Sequence, residues 1–139
     1  SAKASGEAMD ALAAYGNHLG LAFQIRDDMF DYTPGGLFGK PALNDVKEQK
    51  MTLPLIAALR SAPESERRAL TRMIRLDPKS DATAEAALEM VSRHGGMEYA
   101  REKMGRLAAM AVDDLSALPE SPAKEALKDL VEYNMGRTV

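Results

Sequence analysis

The sequence of 139 residues contains no cysteine, no tryptophan and only two histidines. The missing cysteine excludes a disulfide scaffold, a thiol nucleophile and a thiolate zinc site, and it fits a reducing compartment, so we expect a cytoplasmic protein. Lysine and arginine total 18 against 21 aspartates and glutamates, so no broad basic field is available for nucleic acid. The longest stretch without a charged residue, 11–25, is too short for a transmembrane helix.

Strand patterns are nearly absent, whereas residues that favour helices (Ala, Leu, Met, Glu, Lys and Arg) dominate the sequence. Proline, glycine and helix-capping residues divide the chain into about six helices and one polar loop. The predicted helices cover residues 7–32, 52–61, 64–76, 81–94, 97–118 and 121 onwards, and the predicted loop covers 35–50. The sequence therefore predicts an all-α fold of single-domain size.

The first predicted helix is apolar on most of its circumference but carries one acidic stripe. At about 100° per residue, Asp27, Asp28 and Asp31 fall on one side of the helix, and Gln24 lies on that side too. Because a helix that is apolar nearly all round is typically buried, we expect the stripe to line an interior cavity. Three neighbouring carboxylates repel one another and favour a hard cation such as Mg²⁺, shared with a substrate phosphate. The alternative is a solvated acidic turn at a helix end.

Lysines in the following loop supply the opposite charge. Lys40 follows Gly39, and Lys50 comes just before Thr52. A diphosphate beside magnesium and carboxylates is well matched by point charges on flexible stems. Lysines in a loop are usually just solvated, so the hypothesis depends on the stripe and the lysines together.

Several segments resemble the second aspartate-rich region of the trans-isoprenyl diphosphate synthases, also called polyprenyl synthetases. They are residues 20–32 (GLAFQIRDDMFDY), 39–41 (GKP), 44–45 (ND) and 50–55 (KMTLPL). Similarity to the C-terminal half of that family extends to residues 94–100, 115–119, Tyr133 and Arg137. The resemblance covers essentially the whole chain, and it implies the all-α helical bundle of the isoprenoid synthases.

The resemblance implies metal ligands in the acidic stripe. Asp27, Asp28 and Asp31 correspond to the second DDxxD motif, which holds the diphosphate of the allylic substrate through Mg²⁺. In prenyl elongation this diphosphate leaves, the double bond of isopentenyl diphosphate attacks the allylic cation, and a proton is lost. Asp27, Asp28 and Lys50 are the expected catalytic residues, because the departing diphosphate needs its developing charge neutralised.

The same resemblance implies the substrate contacts. Lys40 and Lys50 correspond to lysines that contact the allylic diphosphate, and Gln24 corresponds to a residue beside that site. Arg137 resembles, less closely, a C-terminal basic residue near the homoallylic substrate.

The sequence departs from the family pattern in the loop and in its motif count. Leu43 and Gln49 stand where the family commonly has glycine, and one of the family's two aspartate-rich motifs is present. We therefore expect residues 1–139 to be the C-terminal half of a longer polyprenyl synthetase domain, inactive alone. The parent protein is expected to be a homodimer that makes a polyprenyl diphosphate.

Two other interpretations stay open at this point: a terpene cyclase-like enzyme of the same fold, and a non-catalytic helical subunit that partners a full synthase. The loop lysines favour chain elongation. Among the remaining polar residues, we expect Asp113 and Asp114 to form a solvated patch. We expect His18 to be packed or hydrogen-bonded and His94 to stabilise a helix end.

Overall fold

A computed structural model of the chain describes residues 2–34, 41 and 43–135. Over these residues the chain forms seven α-helices and one 3₁₀ turn, with no strand, which confirms the all-α prediction. In chain order they are α1 (Ala2–Phe30), α2 (Asn44–Lys47), α3 (Leu53–Ser61), α4 (Glu64–Leu76), α5 (Asp81–Arg93), α6 (Gly96–Asp114), the 3₁₀ turn (Leu115–Ala117) and α7 (Pro122–Met135).

Outside the loop, the observed helix boundaries lie within a few residues of the predicted ones, except that α1 begins at Ala2 rather than at residue 7. The start of α5 is capped as expected, because the Ser80 hydroxyl accepts the Thr83 backbone N–H at 3.1 Å. Ser121 caps α7 in the same way, accepting the backbone N–H of Lys124 at 3.1 Å. The predicted loop at 35–50 is corrected: it contains α2, whose formation depends on a contact with a distant residue described below.

The chain divides into two compact units. Unit 1 comprises Ser1–Arg26 and Glu102–Val139, and unit 2 comprises Asp27–Arg101. In the part of the chain that the structure describes, no helix is both long enough and apolar enough to cross a membrane.

Unit 2 has a continuous apolar core, formed by Tyr32, Leu43, Val46, Leu55, Ala58, Leu59, Ala62, Leu70, Ile74, Ala87, Met90 and Val91. Helix α5 packs against α2, α3 and α4. A β-carbon at Gly96 would collide with the backbone carbonyl of Pro54, so glycine permits a close approach between the starts of α6 and α3. These contacts fix the start of α3 within unit 2.

Unit 1 has a smaller core and several polar contacts between its helices. The core residues are Tyr15, Leu19, Ala108, Ala111, Leu115 and Val131. The Tyr15 hydroxyl donates to the Leu127 carbonyl at 2.8 Å, and burial raises the pKa of Tyr15.

His18 Nδ1 lies 2.6 Å from Asp114 Oδ2, which confirms that His18 is hydrogen-bonded. The expectation of a solvated Asp113–Asp114 patch is wrong for Asp114, whose side chain is only 19% exposed. Adjacent helical residues point about 100° apart, so Asp113 faces solvent while Asp114 meets His18.

Candidate functional site

The acidic stripe lies at the end of α1, in unit 2. Asp27 and Asp28 are in the last turn of the helix, and Asp31 directly follows it. Together with Phe30, Asn44 and Asp45 they line an open depression. This differs from the enclosed cavity expected from the sequence. One reason is that the apolar positions of α1 are not all buried, and Phe30 itself is 42% exposed.

Asp28 lies against the start of α3. The first residue of that helix is Leu53, whose backbone N–H has no partner inside the helix. Burial, the largest influence, raises the pKa of Asp28, whereas the nearby backbone N–H of Leu53 lowers it. The charges of Asp45, Asp27 and Asp31 raise it further. The net shift is upward, so the ionised form of Asp28 is disfavoured in the folded chain.

Asp31 holds the start of α2. Its two carboxylate oxygens accept the backbone N–H groups of Asn44 at 2.8 Å and Asp45 at 3.1 Å. Its backbone carbonyl also accepts the N–H of Leu43 at 3.2 Å. These bonds explain why a four-residue helix forms inside the predicted loop. An ionised carboxylate has about four lone-pair sites, so Asp31 still has acceptor capacity.

Asp45 is a fourth carboxylate at the depression, and sequence reasoning gave it no role. Burial and the charge of Asp31 raise its pKa, while the charge of Lys50 lowers it. Its backbone carbonyl accepts the N–H of Lys50 at 2.7 Å. The only sequence signal for a role of Asp45 was that the Asn44-Asp45 pair belongs to the segments that resemble the family. Helical periodicity could not indicate that Asp45 lies near Asp31, because a loop separates the two residues.

Tyr32, the residue after the acidic stripe, is buried in the unit 2 core. It follows Asp31 directly, is 94% buried as a member of the unit 2 core (6% relative exposure), and its raised pKa results mainly from that burial. The Thr52 hydroxyl lies beside the Tyr32 phenol, outside good hydrogen-bond geometry. Burial of the Tyr32 ring restrains the backbone of the neighbouring residue, Asp31.

The donor chemistry of the four carboxylates fits a hard divalent cation, which prefers oxygen ligands. Within the described residues, no three acidic or histidine side chains already converge as a metal-ligand set. Burial is the main cause of the raised pKa values of Asp28 and Asp45, and the charges of neighbouring carboxylates, which a bound cation would balance, raise them further.

The other predicted site residues differ in where they lie. Lys50 is exposed, and its Nζ lies 3.0 Å from Glu48 Oε2, a contact that raises the pKa of Lys50. Its influence on Asp45 places its charge near the carboxylates. Gln24 is an exposed residue of unit 1. Lys40 and Arg137 lie outside the described residues.

The two loop positions that depart from the family keep a backbone that favours glycine. Leu43 has φ 51° and Gln49 has φ 61°, both in the left-handed region. Leu43 packs into the core, at 2% exposure. Gln49 Nε2 donates to the carbonyls of Ile74 and Arg75, at 3.1 Å each, near the end of α4. Each side chain therefore offsets part of the conformational cost.

Residues 1–91, well over half of the chain, match the family described as Polyprenyl synthetase. The chain belongs to the polyprenyl synthetase family. This confirms the resemblance seen in the motif residues, and the all-α fold agrees with it.

Known members of the polyprenyl synthetase family resemble the chain over nearly its whole length. It is 38% identical to a prenyl transferase of Synechocystis sp., across 99% of the chain and 43% of that relative. The crystal structure of a decaprenyl diphosphate synthase from Rhodobacter capsulatus has a TM-score of 0.85 at 34% identity, covering 96% of this chain and 42% of that one. A polyprenyl synthase from Caulobacter crescentus, complexed with calcium and isoprenyl diphosphate, has a TM-score of 0.77 at 32% identity, covering 94% and 40%. The chain spans less than half the length of each.

Proposed function

We propose that this chain supplies the allylic-diphosphate site of a Mg²⁺-dependent prenyltransferase that makes an isoprenyl or polyprenyl diphosphate. The observation that carries the proposal is the cluster of Asp27, Asp28, Asp31 and Asp45 around one open depression. The charges of Asp45, Asp27 and Asp31 each add to the effect of burial in raising the pKa of Asp28, and a cation with its phosphate ligand is suited to balance those charges. Membership in the polyprenyl synthetase family supports the reaction class.

In the proposed reaction, the carbon–oxygen bond of the allylic diphosphate breaks and the diphosphate leaves with the electron pair. The double bond of isopentenyl diphosphate then forms a carbon–carbon bond to the allylic carbon, and loss of a proton restores a double bond. Mg²⁺, when bound, supplies positive charge to the departing diphosphate oxygens.

The residues of this chain have separate tasks in that scheme. Asp27, Asp28 and Asp31 are the proposed Mg²⁺ ligands, and Asp45 is an additional candidate. Asp31 also positions Asp45, through the hydrogen bond to its backbone N–H. Lys50 is proposed to exchange its contact with Glu48 for one with the diphosphate, which its exposed position permits.

A binding experiment tests the site in the 139-residue chain itself. Calorimetric titration with Mg²⁺ plus inorganic diphosphate should show binding that Asp28→Asn weakens by about tenfold or more, as for perturbed metal sites. Asp113→Asn is the matched control, because it removes one exposed carboxylate from α6. Equal binding by the wild-type chain and both variants would contradict the proposed site.

A kinetic experiment tests the roles in the whole enzyme that contains this chain. Asp27→Ala should lower both kcat and kcat/KM by about two to four orders of magnitude, roughly 3–5 kcal/mol, because it removes charge stabilisation from the transition state. Lys50→Ala should mainly raise KM for the allylic substrate. Near-normal turnover of Asp27→Ala with an unchanged Mg²⁺ requirement would show that the acidic stripe is not the metal site.

We also propose that the protein is a cytoplasmic homodimer. Several large apolar side chains of unit 1 are exposed, namely Met9, Leu12, Leu21, Met110 and Leu130, and a second copy of the chain could cover them. Light scattering after size exclusion should give twice the 15.1 kDa chain mass, and cell fractionation tests the location. A mass of one chain at all concentrations would contradict the dimer.

A further inference from the structure

The exposed side of α4 carries an unbalanced set of positive charges. Arg67, Arg68, Arg72 and Arg75 are all exposed and fall within an arc of about 140° around the helix; we call these four residues the arginine face. Arg68 contacts Glu64 Oε1 at 2.7 Å. Across the residues that the structure describes, the other three make no ion pair. The whole chain has a net charge of −3, so this positive charge is local.

Apolar side chains border the arginine face. Leu76, in the last turn of α4, is 66% exposed, and Met51 is 41% exposed. Met51 lines a shallow depression together with Thr71 and Arg75, so the depression adjoins the arginine face. The opposite side of α4 is packed into the unit 2 core and is not available to a partner.

We propose that the arginine face docks on an anionic lipid surface, with Leu76 and Met51 at the apolar border of the contact. Guanidinium groups bind phosphate oxygens through two parallel hydrogen bonds, and headgroup phosphates present many such oxygens in one plane. Adjacent exposed apolar side chains are typical of surfaces that lie at a membrane interface. A single helix face in an acidic chain is small for nucleic acid, which needs a broad basic field.

Vesicle sedimentation tests this docking with the 139-residue chain. The chain should sediment with phosphatidylcholine vesicles that contain about one-third phosphatidylglycerol, and it should stay in solution with pure phosphatidylcholine. Binding should disappear as the salt concentration approaches about 1 M, where the Debye length is only about 3 Å. No sedimentation with anionic vesicles, or equal sedimentation with both kinds, overturns the proposal.

Paired variants locate the surface. Arg67→Gln with Arg72→Gln should lower the partition coefficient by roughly 30-fold, at about a factor of five for each charge near the membrane surface. Lys103→Gln with Arg106→Gln, on α6, removes the same charge from exposed positions of another helix and should change partitioning by less than about threefold. Leu76→Gln should cost a few-fold.

Circular dichroism should show unchanged helicity in every variant, because all these positions are exposed. Equal losses of vesicle binding for the two double variants would mean that binding depends only on the net charge of the chain. That result would overturn the assignment of the lipid contact to α4. Binding of a DNA duplex or polyglutamate, as tight as that of vesicles and weakened by the same α4 variant, would assign the face to another class of partner and overturn the lipid proposal.

Discussion

The two units differ in the size of their apolar cores and in how far along the chain their polar contacts reach. Unit 2 packs α2 to α5 around a continuous apolar core. Unit 1 has a smaller core and relies on polar pairs between elements far apart in sequence: Tyr15 with Leu127, His18 with Asp114, and Arg26 with Asn134. Apolar burial is non-directional, whereas a buried polar pair loses most of its value when one partner is removed. Asp27, Asp28, Asp31 and Asp45 all belong to unit 2, the unit with the larger apolar core.

The largest expected effect comes from truncating a fully buried leucine in each unit. Leu55→Ala in unit 2 and Leu115→Ala in unit 1 should each lower the free energy of unfolding by about 2–5 kcal/mol, because each leaves a cavity. Urea denaturation measures the loss, and Leu76→Ala, at an exposed position, is the control. Hydrogen exchange should show faster opening mainly in the unit that carries the change.

The comparison of the units fails if either leucine variant speeds hydrogen exchange equally in α4, which belongs to unit 2, and in α7, which belongs to unit 1. That result would mean that the chain opens as one cooperative body rather than as two regions with different interactions.

A smaller effect is expected at Gln49, a polar contact within unit 2. Gln49→Ala keeps the left-handed backbone but loses both hydrogen bonds to the end of α4, so it should destabilise the chain by about 1–2 kcal/mol. Gln49→Gly loses the same bonds but relieves the backbone, so it should be about 1 kcal/mol more stable than Gln49→Ala. Thermal unfolding of both variants measures the difference, and equal stability would contradict the backbone argument.

Tyr15→Phe tests the polar contacts of unit 1. The substitution keeps the buried ring but leaves the Leu127 carbonyl without its hydroxyl donor, which should cost about 1 kcal/mol. Tyr99→Phe is the control, because Tyr99 is 40% exposed. If the two variants unfold at the same denaturant concentration, the hydroxyl contact does not contribute to the stability of unit 1.

Asp28→Asn gives the smallest expected effect and has a defined pH dependence. A raised pKa means that the folded chain binds the proton more tightly than the unfolded chain does. Stability therefore falls as the pH rises from the ordinary carboxyl pKa through the raised one, and the cost is complete above it. Asparagine removes that cost, so without metal the variant should be more stable at neutral pH by less than about 1 kcal/mol, since solvent screens part of the charge.

The stability difference between Asp28→Asn and the wild-type chain should vanish in acid. Below the ordinary carboxyl pKa, Asp28 is protonated in both the folded and the unfolded wild-type chain. Asp113→Asn, at an exposed position of α6, is the matched control. Thermal melts across pH, with and without Mg²⁺ plus diphosphate, measure both quantities. A wild-type chain that is more stable than Asp28→Asn at neutral pH without metal would contradict the raised pKa of Asp28.

The helix pattern and the acidic stripe could be predicted from the sequence because both are local properties. Helix formation depends on residues within a few turns, and caps such as Ser80 act over three residues. Asp27 and Asp28 therefore lie where the periodicity placed them, at the end of the first helix. His94 likewise lies directly after the end of α5, as the sequence predicted, whereas Glu66, whose carboxylate is 2.7 Å from its Nε2, comes from another helix.

The tertiary structure decided what the aspartates contact. Asp31 binds backbone N–H groups that lie 13 and 14 residues further on, Asp45 joins the depression from another helix, and Asp114 meets His18 across 96 residues. The left-handed backbone at Leu43 and Gln49 likewise depends on the core and on the end of α4. These contacts are made between segments distant in the chain, and helical periodicity fixes direction only within one helix. The sequence by itself determined which residues carry the charge, and the packing within each unit determined which groups that charge meets.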